Sequence, residues 1–324
     1  MFFYQNKYTI SVTSAGNGSV NKNSVEAGID TNPTIIATAN TGYHFDGWTT
    51  TDGASVASTT DAETTVKATG TGSVTANFAI NTYTIAFDKN GKGATGTKES
   101  IPNVEYGESV TLTKNTTITN EGYTFREWNT KSDGTGNGYA DGATVSNLTT
   151  ENGVTVLLCA IWDANTYYVR FNANEGEGSM GDQSFTYNAG AKALTDNKFT
   201  RTGYDFAGWN TKIDGSGTAY SNKASITNLT SEPNGVVTLY AQWTAHEHKL
   251  SWTTDGDALT GDYTHGDAIP YGTQIKAPNT PTKTGYTFAG WNTLANGTGT
   301  NYADKASVSN LSSTAGETVP LYAK

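Results

Sequence analysis

The sequence is poor in cysteine and in long apolar runs, and each shortage excludes a class of protein. Its 324 residues contain a single cysteine, Cys159, so no disulfide can form within the chain. We interpret Cys159 as a small buried apolar residue, because the matching strand later in the chain has Tyr240 at this position. No apolar run approaches the roughly twenty residues of a membrane-spanning helix, and we expect no membrane insertion in this segment.

Basic residues are also scarce relative to acidic ones. Lysine and arginine number 20 against 30 aspartates and glutamates, which gives a net charge of −10. A negative chain repels phosphate backbones, so no nucleic-acid partner is expected. Residues 1–4 lack the basic region and apolar core of a signal peptide, and we expect the signal and anchor to lie outside this fragment.

Glycine and tyrosine are abundant, with 36 and 18 residues, whereas leucine is scarce. This composition is typical of short strands joined by turns and predicts a mainly β fold. No segment predicts a convincing amphipathic helix. A helical turn near residues 223–226 is the one helical element that the pattern suggests.

One aromatic motif occurs four times and organises the chain. It reads GYHFDGW, GYTFREW, GYDFAGW and GYTFAGW, with its first glycine at 42, 122, 203 and 285, so the spacings are 80, 81 and 82 residues. A fixed period of this kind predicts a repeat architecture. The shared motif residues are Gly42, Tyr43, Phe45, Trp48, Gly122, Tyr123, Phe125, Trp128, Gly203, Tyr204, Phe206, Trp209, Gly285, Tyr286, Phe288 and Trp291.

We interpret the motif as the core strand of each unit, with its tryptophan as a packing anchor. In the third copy Tyr204 and Phe206 share one side of a strand, but Trp209 breaks the alternation. Either Gly208 forms a bulge that turns the tryptophan inward, or Trp209 covers the opposite face. The second unit has Glu127 in place of this glycine, so the glycine is not strictly required.

The repeat predicts four units, at residues 1–80, 81–164, 165–245 and 246–324, the last truncated at its C-terminal end. Each opens with a period-2 strand, continues through glycine-rich turns, and ends in a closing strand. The four-residue junctions contain no glycine and are too short for flexible linkers. We therefore expect a monomeric, elongated and semi-rigid rod of about 120–150 Å.

Candidate catalytic and metal-binding residues are few. His246 and His248 lie two residues apart, but no third ligand for zinc is nearby. Asp133 and Asp214 lie in glycine turns without the ordered oxygen ligands of a calcium loop, and we interpret them as turn residues. His44 and His265 are isolated. We predict no catalytic residue, no metal site and no cofactor.

Two further features recur from unit to unit. The Asn-Leu-Thr/Ser triplets at 147, 228 and 310 are interpreted as Asx turns before the closing strand. We interpret the tyrosines and tryptophans mainly as core residues rather than as a sugar-stacking platform, and the better exposed candidates for facing a ligand are the tyrosines after the Asp-Gly or Asn-Gly turns, Tyr139, Tyr220 and Tyr302.

The motif and the closing LYAQW sequence at 239–243 resemble the Listeria–Bacteroides repeat, the internalin-B B-repeat family of bacterial surface proteins. The first unit resembles the divergent variant of that family, since it lacks the asparagine after Trp48. The resemblance implies a tandem array of β-grasp-like units, ubiquitin-like with a reduced helix, on an extracellular or cell-surface protein. It brings no catalytic residues.

The sequence therefore indicates a non-enzymatic segment of a bacterial surface protein. The leading hypothesis is a stalk or spacer that projects a functional domain. The alternative is an adhesion module that binds a glycan or a host or cell-surface protein through exposed repeat faces.

Overall fold

The computed structural model describes residues 6–254 and 266–324, in two compact units, Met1–Asp163 and Ala164–Lys324. The described residues contain strands and turns and no helix, so the mainly β prediction is confirmed and the fold of these residues is all-β. The helical turn suggested near 223–226 is wrong, because Ser225–Ile226 is a strand paired with Lys192–Ala193. The glycine turn at 255–257 and His265 lie outside the described residues.

The first compact unit, Met1–Asp163, contains the first two of the four sequence repeats. The first repeat comprises β1 (Tyr8–Ser14), β2 (Gly18–Val20), β3 (Ser24–Ala27), β4 (Thr34–Ala39), β5 (Tyr43–Thr50), β6 (Ala54–Val56), β7 (Glu63–Ala68) and β8 (Gly72–Ile80). The second repeat comprises β9 (Thr82–Asp88), β10 (Ile101–Glu105), β11 (Val110–Thr111), β12 (Tyr123–Asn129), β13 (Gly138–Tyr139), β14 (Thr144–Val145) and β15 (Thr155–Ala164).

The second unit contains the other two repeats. The third repeat comprises β16 (Thr166–Asn172), β17 (Gln183–Thr186), β18 (Lys192–Ala193), β19 (Tyr204–Asn210), β20 (Ala219–Tyr220), β21 (Ser225–Ile226) and β22 (Val236–Ala245). The fourth repeat comprises β23 (Glu247–Thr253), β24 (Ile269–Pro270), β25 (Ile275–Lys276), β26 (Trp291–Asn292), β27 (Asn301–Tyr302), β28 (Ser307–Val308) and β29 (Thr318–Ala323).

Every repeat places its closing strand between its opening strand and its motif strand. The sheet orders are β3-β1-β8-β5, β10-β9-β15-β12-β13, β17-β16-β22-β19-β20 and β24-β23-β29-β26-β27. In the third repeat β16 and β22 run parallel, with Tyr168 opposite Val236. The motif strand β19 pairs antiparallel with the other edge of β22. The closing strand is therefore the centre of the sheet.

A bulge explains how the motif strand buries its tryptophan. The pairing of β19 with β22 shifts between Phe206 and Gly208, and the same shift occurs between Phe45 and Gly47 in the first repeat. Gly208 has a φ of 142°, and a Cβ there would lie 2.9 Å from the carbonyl oxygen of Tyr220. Because the extra residue restores the inward direction, Trp209 packs on the same side as Phe206, with ring centroids 4.9 Å apart.

Each repeat has its own cluster of buried side chains. In the third, Trp209 is 1 % exposed and contacts the rings of Phe171 and Phe199, at centroid distances of 4.9 and 6.0 Å. The largest fully buried side chains of the described chain are Trp128, Trp209 and Trp291. Aromatic rings therefore supply the bulk of a core that has little leucine.

Candidate functional site

The motif tryptophans lie inside the repeats, away from solvent. The indole N–H groups of Trp128, Trp209 and Trp291 are buried and have no hydrogen-bond acceptor within the described residues. Trp48 differs, since its indole N–H donates to the carbonyl oxygen of Asp61 at 2.9 Å. Rings that are closed off in this way act as apolar bulk and offer no platform to a ligand.

A buried asparagine follows the motif tryptophan in three repeats and holds the next loop. Asn210 is 2 % exposed, and its Oδ1 accepts from the backbone N–H groups of Lys212 and Gly217 at 2.9 and 3.0 Å. Its Nδ2 donates to the carbonyl of Gly215 at 2.9 Å. Asn129 and Asn292 make the corresponding bonds. The only signal of this role in the sequence is the Asn-Thr pair that recurs after the tryptophan, and the pair by itself does not indicate which loop the asparagine holds.

The aspartates of the same loops are Asx-turn residues. Asp133 Oδ1 accepts from the backbone N–H and the hydroxyl of Thr135, at 2.9 and 2.7 Å. These bonds, the one from the hydroxyl first, lower the pKa of the Asp133 carboxyl. Asp214 does the same with Ser216, and Asn296 replaces the aspartate in the fourth repeat. An uncharged asparagine suffices there, so the position serves the turn.

The asparagines of the Asn-Leu-Thr/Ser triplets make long-range bonds, and their assignment to local Asx turns is wrong. Asn228 has a φ of 48° and its Oδ1 accepts from the backbone N–H of Asn188, 40 residues away, at 2.8 Å. Asn147 bonds Gly107 and Asn310 bonds Gly272 in the same way. Each triplet therefore fastens the distant turn that follows the second strand, a partner that local sequence does not indicate.

A single residue, Asn81, joins the first repeat to the second. Its backbone N–H donates to Gly42 of the first repeat, and its carbonyl accepts from Tyr106 of the second, at 2.8 and 2.9 Å. Its side chain donates to the carbonyl of Thr150 at 2.7 Å and accepts from the ring of His44 at 2.8 Å. The joint residue is thus held by both repeats, and it is 6 % exposed.

The first glycine of the motif also belongs to this joint. A Cβ at Gly42 would overlap the ring of Tyr106, and one at Gly203 would overlap the ring of Tyr271. Tyr204 meets Tyr271 edge to face, with ring centroids 5.9 Å apart. The motif therefore combines a core tryptophan with a glycine that admits a tyrosine of the following repeat, and of these two roles the sequence predicted only the first.

His246 is the joint residue between the third and fourth repeats. Its backbone N–H donates to Gly203 and its carbonyl accepts from Tyr271, both at 2.8 Å. Its Nδ1 donates to the carbonyl of Ser313 at 2.6 Å, while Nε2 lies 3.0 Å from Asp205 Oδ1. Both ring nitrogens face oxygen acceptors, so the Ser313 carbonyl and then the Asp205 carboxylate raise the pKa of His246.

The other candidate groups do not converge. His248 is 3 % exposed, and burial lowers its pKa. Burial likewise raises the pKa of the Cys159 thiol. Among the described residues, no three His, Cys, Asp or Glu side chains are grouped so that they could hold a metal ion. The described residues form no helix, and therefore no helix that could cross a membrane.

The candidate ligand-facing tyrosines are half-buried on short strands beside the motif tryptophans. Tyr220 lies opposite Trp209 in the sheet, and its ring packs against the core of the third repeat. Tyr139 and Tyr302 have the same position beside Trp128 and Trp291. The structure thus places the three tyrosines in equivalent positions of separate repeats.

Family models match nearly the whole chain. Residues 83–153, 167–242 and 248–324 match the Listeria-Bacteroides repeat domain. Residues 8–82 match the divergent InlB B-repeat domain. Both results confirm the resemblance to the internalin-B B-repeat family, including the match of the first repeat to its divergent variant.

Several relatives share this segment. A Gly-rich membrane protein of Evansella cellulosilytica is 30 % identical over 187 residues, 57 % of this chain and 21 % of the relative. A membrane protein of the same organism is 30 % identical over 257 residues, 76 % and 34 % of the two chains. Internalin H of Listeria monocytogenes serovar 1/2a is 31 % identical over 93 residues, 28 % and 15 %. The chain thus matches about a third or less of each of these relatives.

A solved structure, the Bacillus anthracis TIE protein, aligns with 98 % of this chain and 74 % of its own. The sequence identity is 10 % and the TM-score is 0.31, too low to carry an argument.

Proposed function

The chain belongs to the Listeria-Bacteroides repeat domain family, and from this premise we propose that it is a non-enzymatic stalk of a bacterial surface protein. In this proposal, the repeats project a functional domain away from the cell envelope. The relatives described as membrane proteins and as an internalin support the location. We further propose β-grasp-like repeats, which the parallel pairing of opening and closing strands supports.

The observation that carries the stalk proposal is the joint residue held from both sides. Asn81 and His246 each bond the backbone of the preceding repeat and that of the following repeat. A joint with several hydrogen bonds and a packed tyrosine resists bending far more than a solvated linker of equal length. A spacer needs this property, since a flexible chain has a shorter mean reach.

Small-angle scattering of the full chain tests the stalk. A compact globule of 324 residues would have a radius of gyration of about 20 Å. A semi-rigid rod of about 130 Å would instead give about 35–40 Å. A value near that of the globule would overturn the proposal.

The alternative, adhesion through exposed repeat faces, has a separate test. The half-buried positions of Tyr139, Tyr220 and Tyr302 favour the spacer role. A glycan array and a pull-down with the full chain would detect a ligand of these tyrosines. Saturable binding that is lost in Tyr220→Ala would replace the spacer with an adhesin.

A further inference from the structure

The second repeat contains an open cleft. We call it the Tyr123 cleft, and it is lined by Asn90, Lys92, Asn120, Tyr123, Asp133 and Trp162. Its volume of about 370 Å³ falls within the roughly 300–1,000 Å³ that is usual for small-ligand sites.

In the third repeat, a positively charged side chain lies over the ring of Tyr204, the residue that matches Tyr123. Arg201, two residues before the motif glycine, lies over the ring of Tyr204 at 3.9 Å from the ring centroid. It also pairs with Glu175. In the fourth repeat Lys283 lies 4.8 Å over Tyr286. The second repeat has Asn120 at this position, a side chain too short and without the charge to take the place of Arg201.

The floor of the Tyr123 cleft is held by hydrogen bonds. The indole N–H of Trp162 donates to the carbonyl of Lys89 at 2.9 Å. Asn90 Nδ2 donates to the carbonyls of Ser132 and Ala160, both at 2.8 Å. Asp133 is fixed by its Asx turn with Thr135. Because these groups are already ordered, a ligand would not have to order them.

We propose that the Tyr123 cleft binds a neutral sugar ring. The lining combines the aromatic side chains of Tyr123 and Trp162 with an amide, a carboxylate and an ammonium group. A sugar presents apolar C–H faces for aromatic rings and hydroxyl groups that both donate and accept hydrogen bonds. The charges of Asp133 and Lys92 cancel, so the cleft favours neither an anion nor a cation. The site goes beyond the stalk role, which requires no ligand.

The test is a titration of the ¹⁵N-labelled full chain with methyl glucoside, methyl galactoside and N-acetylglucosamine. The indole N–H resonance of Trp162 reports on the cleft. It is assigned as the resonance that is missing in Trp162→Phe, a substitution chosen because the first repeat has Phe78 at this position. We expect at least one sugar to shift this resonance saturably, in the millimolar range typical of small ligands with few contacts. Absence of a saturable shift with all three sugars would overturn the proposal.

Variants that exchange residues between the sister repeats provide the controls. Asn120→Arg introduces the cation of the third repeat and should weaken sugar binding at least ~tenfold by filling the cleft. Arg201→Asn changes the matching position of the third repeat and should leave the Trp162 titration unchanged. Full sugar binding by Asn120→Arg, or its loss in Arg201→Asn, would contradict the site.

A cationic ligand is the competing outcome, because arginine occupies the same position in the third repeat. L-arginine methyl ester is the probe, and Asp133→Asn is the discriminating variant, since Asn296 forms the same turn in the fourth repeat. A sugar should lose no more than a few-fold in affinity in this variant, because an amide still bonds hydroxyl groups. Saturable binding of arginine methyl ester without sugar binding would replace the proposal with a site for a basic side chain.

Discussion

At the scale of single residues, asparagine carries much of the specificity of this fold. Asn129, Asn147 and Asn81 fasten a loop, a distant turn and a joint, in that order. An amide both donates and accepts, and it carries no charge whose burial would be costly. A chain with few charged side chains can therefore order long loops through side-chain amides.

Removal of one such amide should unfold the loop that it holds. In Asn129→Ala, the backbone N–H groups of Lys131 and Gly136 lose their acceptor. We expect about 1–3 kcal/mol of destabilisation in the second repeat, because two part-buried backbone N–H groups lose their acceptor. Hydrogen exchange should show lost protection at Gly136.

Asn137→Ala is the matched control in the same loop. Asn137 is exposed, and substitutions at such positions usually change stability by less than about 0.5 kcal/mol. Equal effects of the two substitutions would show that the buried amide does not hold the loop.

At the scale of elements, the joint between the third and fourth repeats should depend on pH. The folded state raises the pKa of His246 above its usual value, so protonation favours the docked joint. This contribution is fully present below the unfolded pKa, about 6.5, and is lost as pH rises through the folded pKa. His248 acts in the opposite sense, because burial lowers its pKa, and its contribution is lost as pH falls below about 6.5.

The substitution His246→Asn separates the effect of His246 from that of His248. Asparagine is suitable at this position, because Asn81 is the residue that joins the first and second repeats. We expect the melting temperature of wild type, relative to this variant, to fall as pH rises above about 6.5, because the contribution of the protonated ring is lost as pH passes through the raised pKa of folded His246. NMR titration should place the pKa of His246 above the usual value of about 6.5. A melting-temperature difference that does not change with pH would show that the Ser313 and Asp205 contacts do not favour the protonated ring of His246.

At the scale of the whole molecule, the motif glycine lies where one repeat meets the tyrosine of the next. Gly203 and Gly285 have nearly equal φ values, +76° and +80°. A Cβ at Gly203 would overlap the ring of Tyr271, whereas one at Gly285 would meet nothing within 4 Å. Tyr286 beside it is 74 % exposed. The two glycines thus share their backbone strain and differ in the docked tyrosine.

Gly203→Ala should therefore cost more than Gly285→Ala. Both variants incur the strain of a side chain at positive φ, on the order of 1 kcal/mol, but only Gly203→Ala displaces Tyr271. We expect increased hydrogen exchange at Tyr271 and His246 in Gly203→Ala alone, since these amides bridge the two repeats. Similar exchange in both variants would contradict a docking role for the glycine.

The sequence by itself determined the mainly β class, the family and the four copies of the motif, because period-2 strands, Gly-Asn turns and the aromatic motif are local patterns. It also reduced the position of Trp209 to two alternatives. The tertiary structure shows that Gly208 forms a bulge and that Trp209 points inward. The sequence could not decide this, because the bulge depends on how β19 pairs with β22.

The partners of Asn228, Gly203 and His246 were decided by tertiary structure alone. Asn188 lies 40 residues from Asn228, and Tyr271 belongs to a different repeat from Gly203. The sequence shows that these residue types recur, but a recurring residue does not indicate what it contacts. Such contacts form only when the closing strand brings the two ends of a repeat together, and so the joints and the Tyr123 cleft are properties of the folded chain.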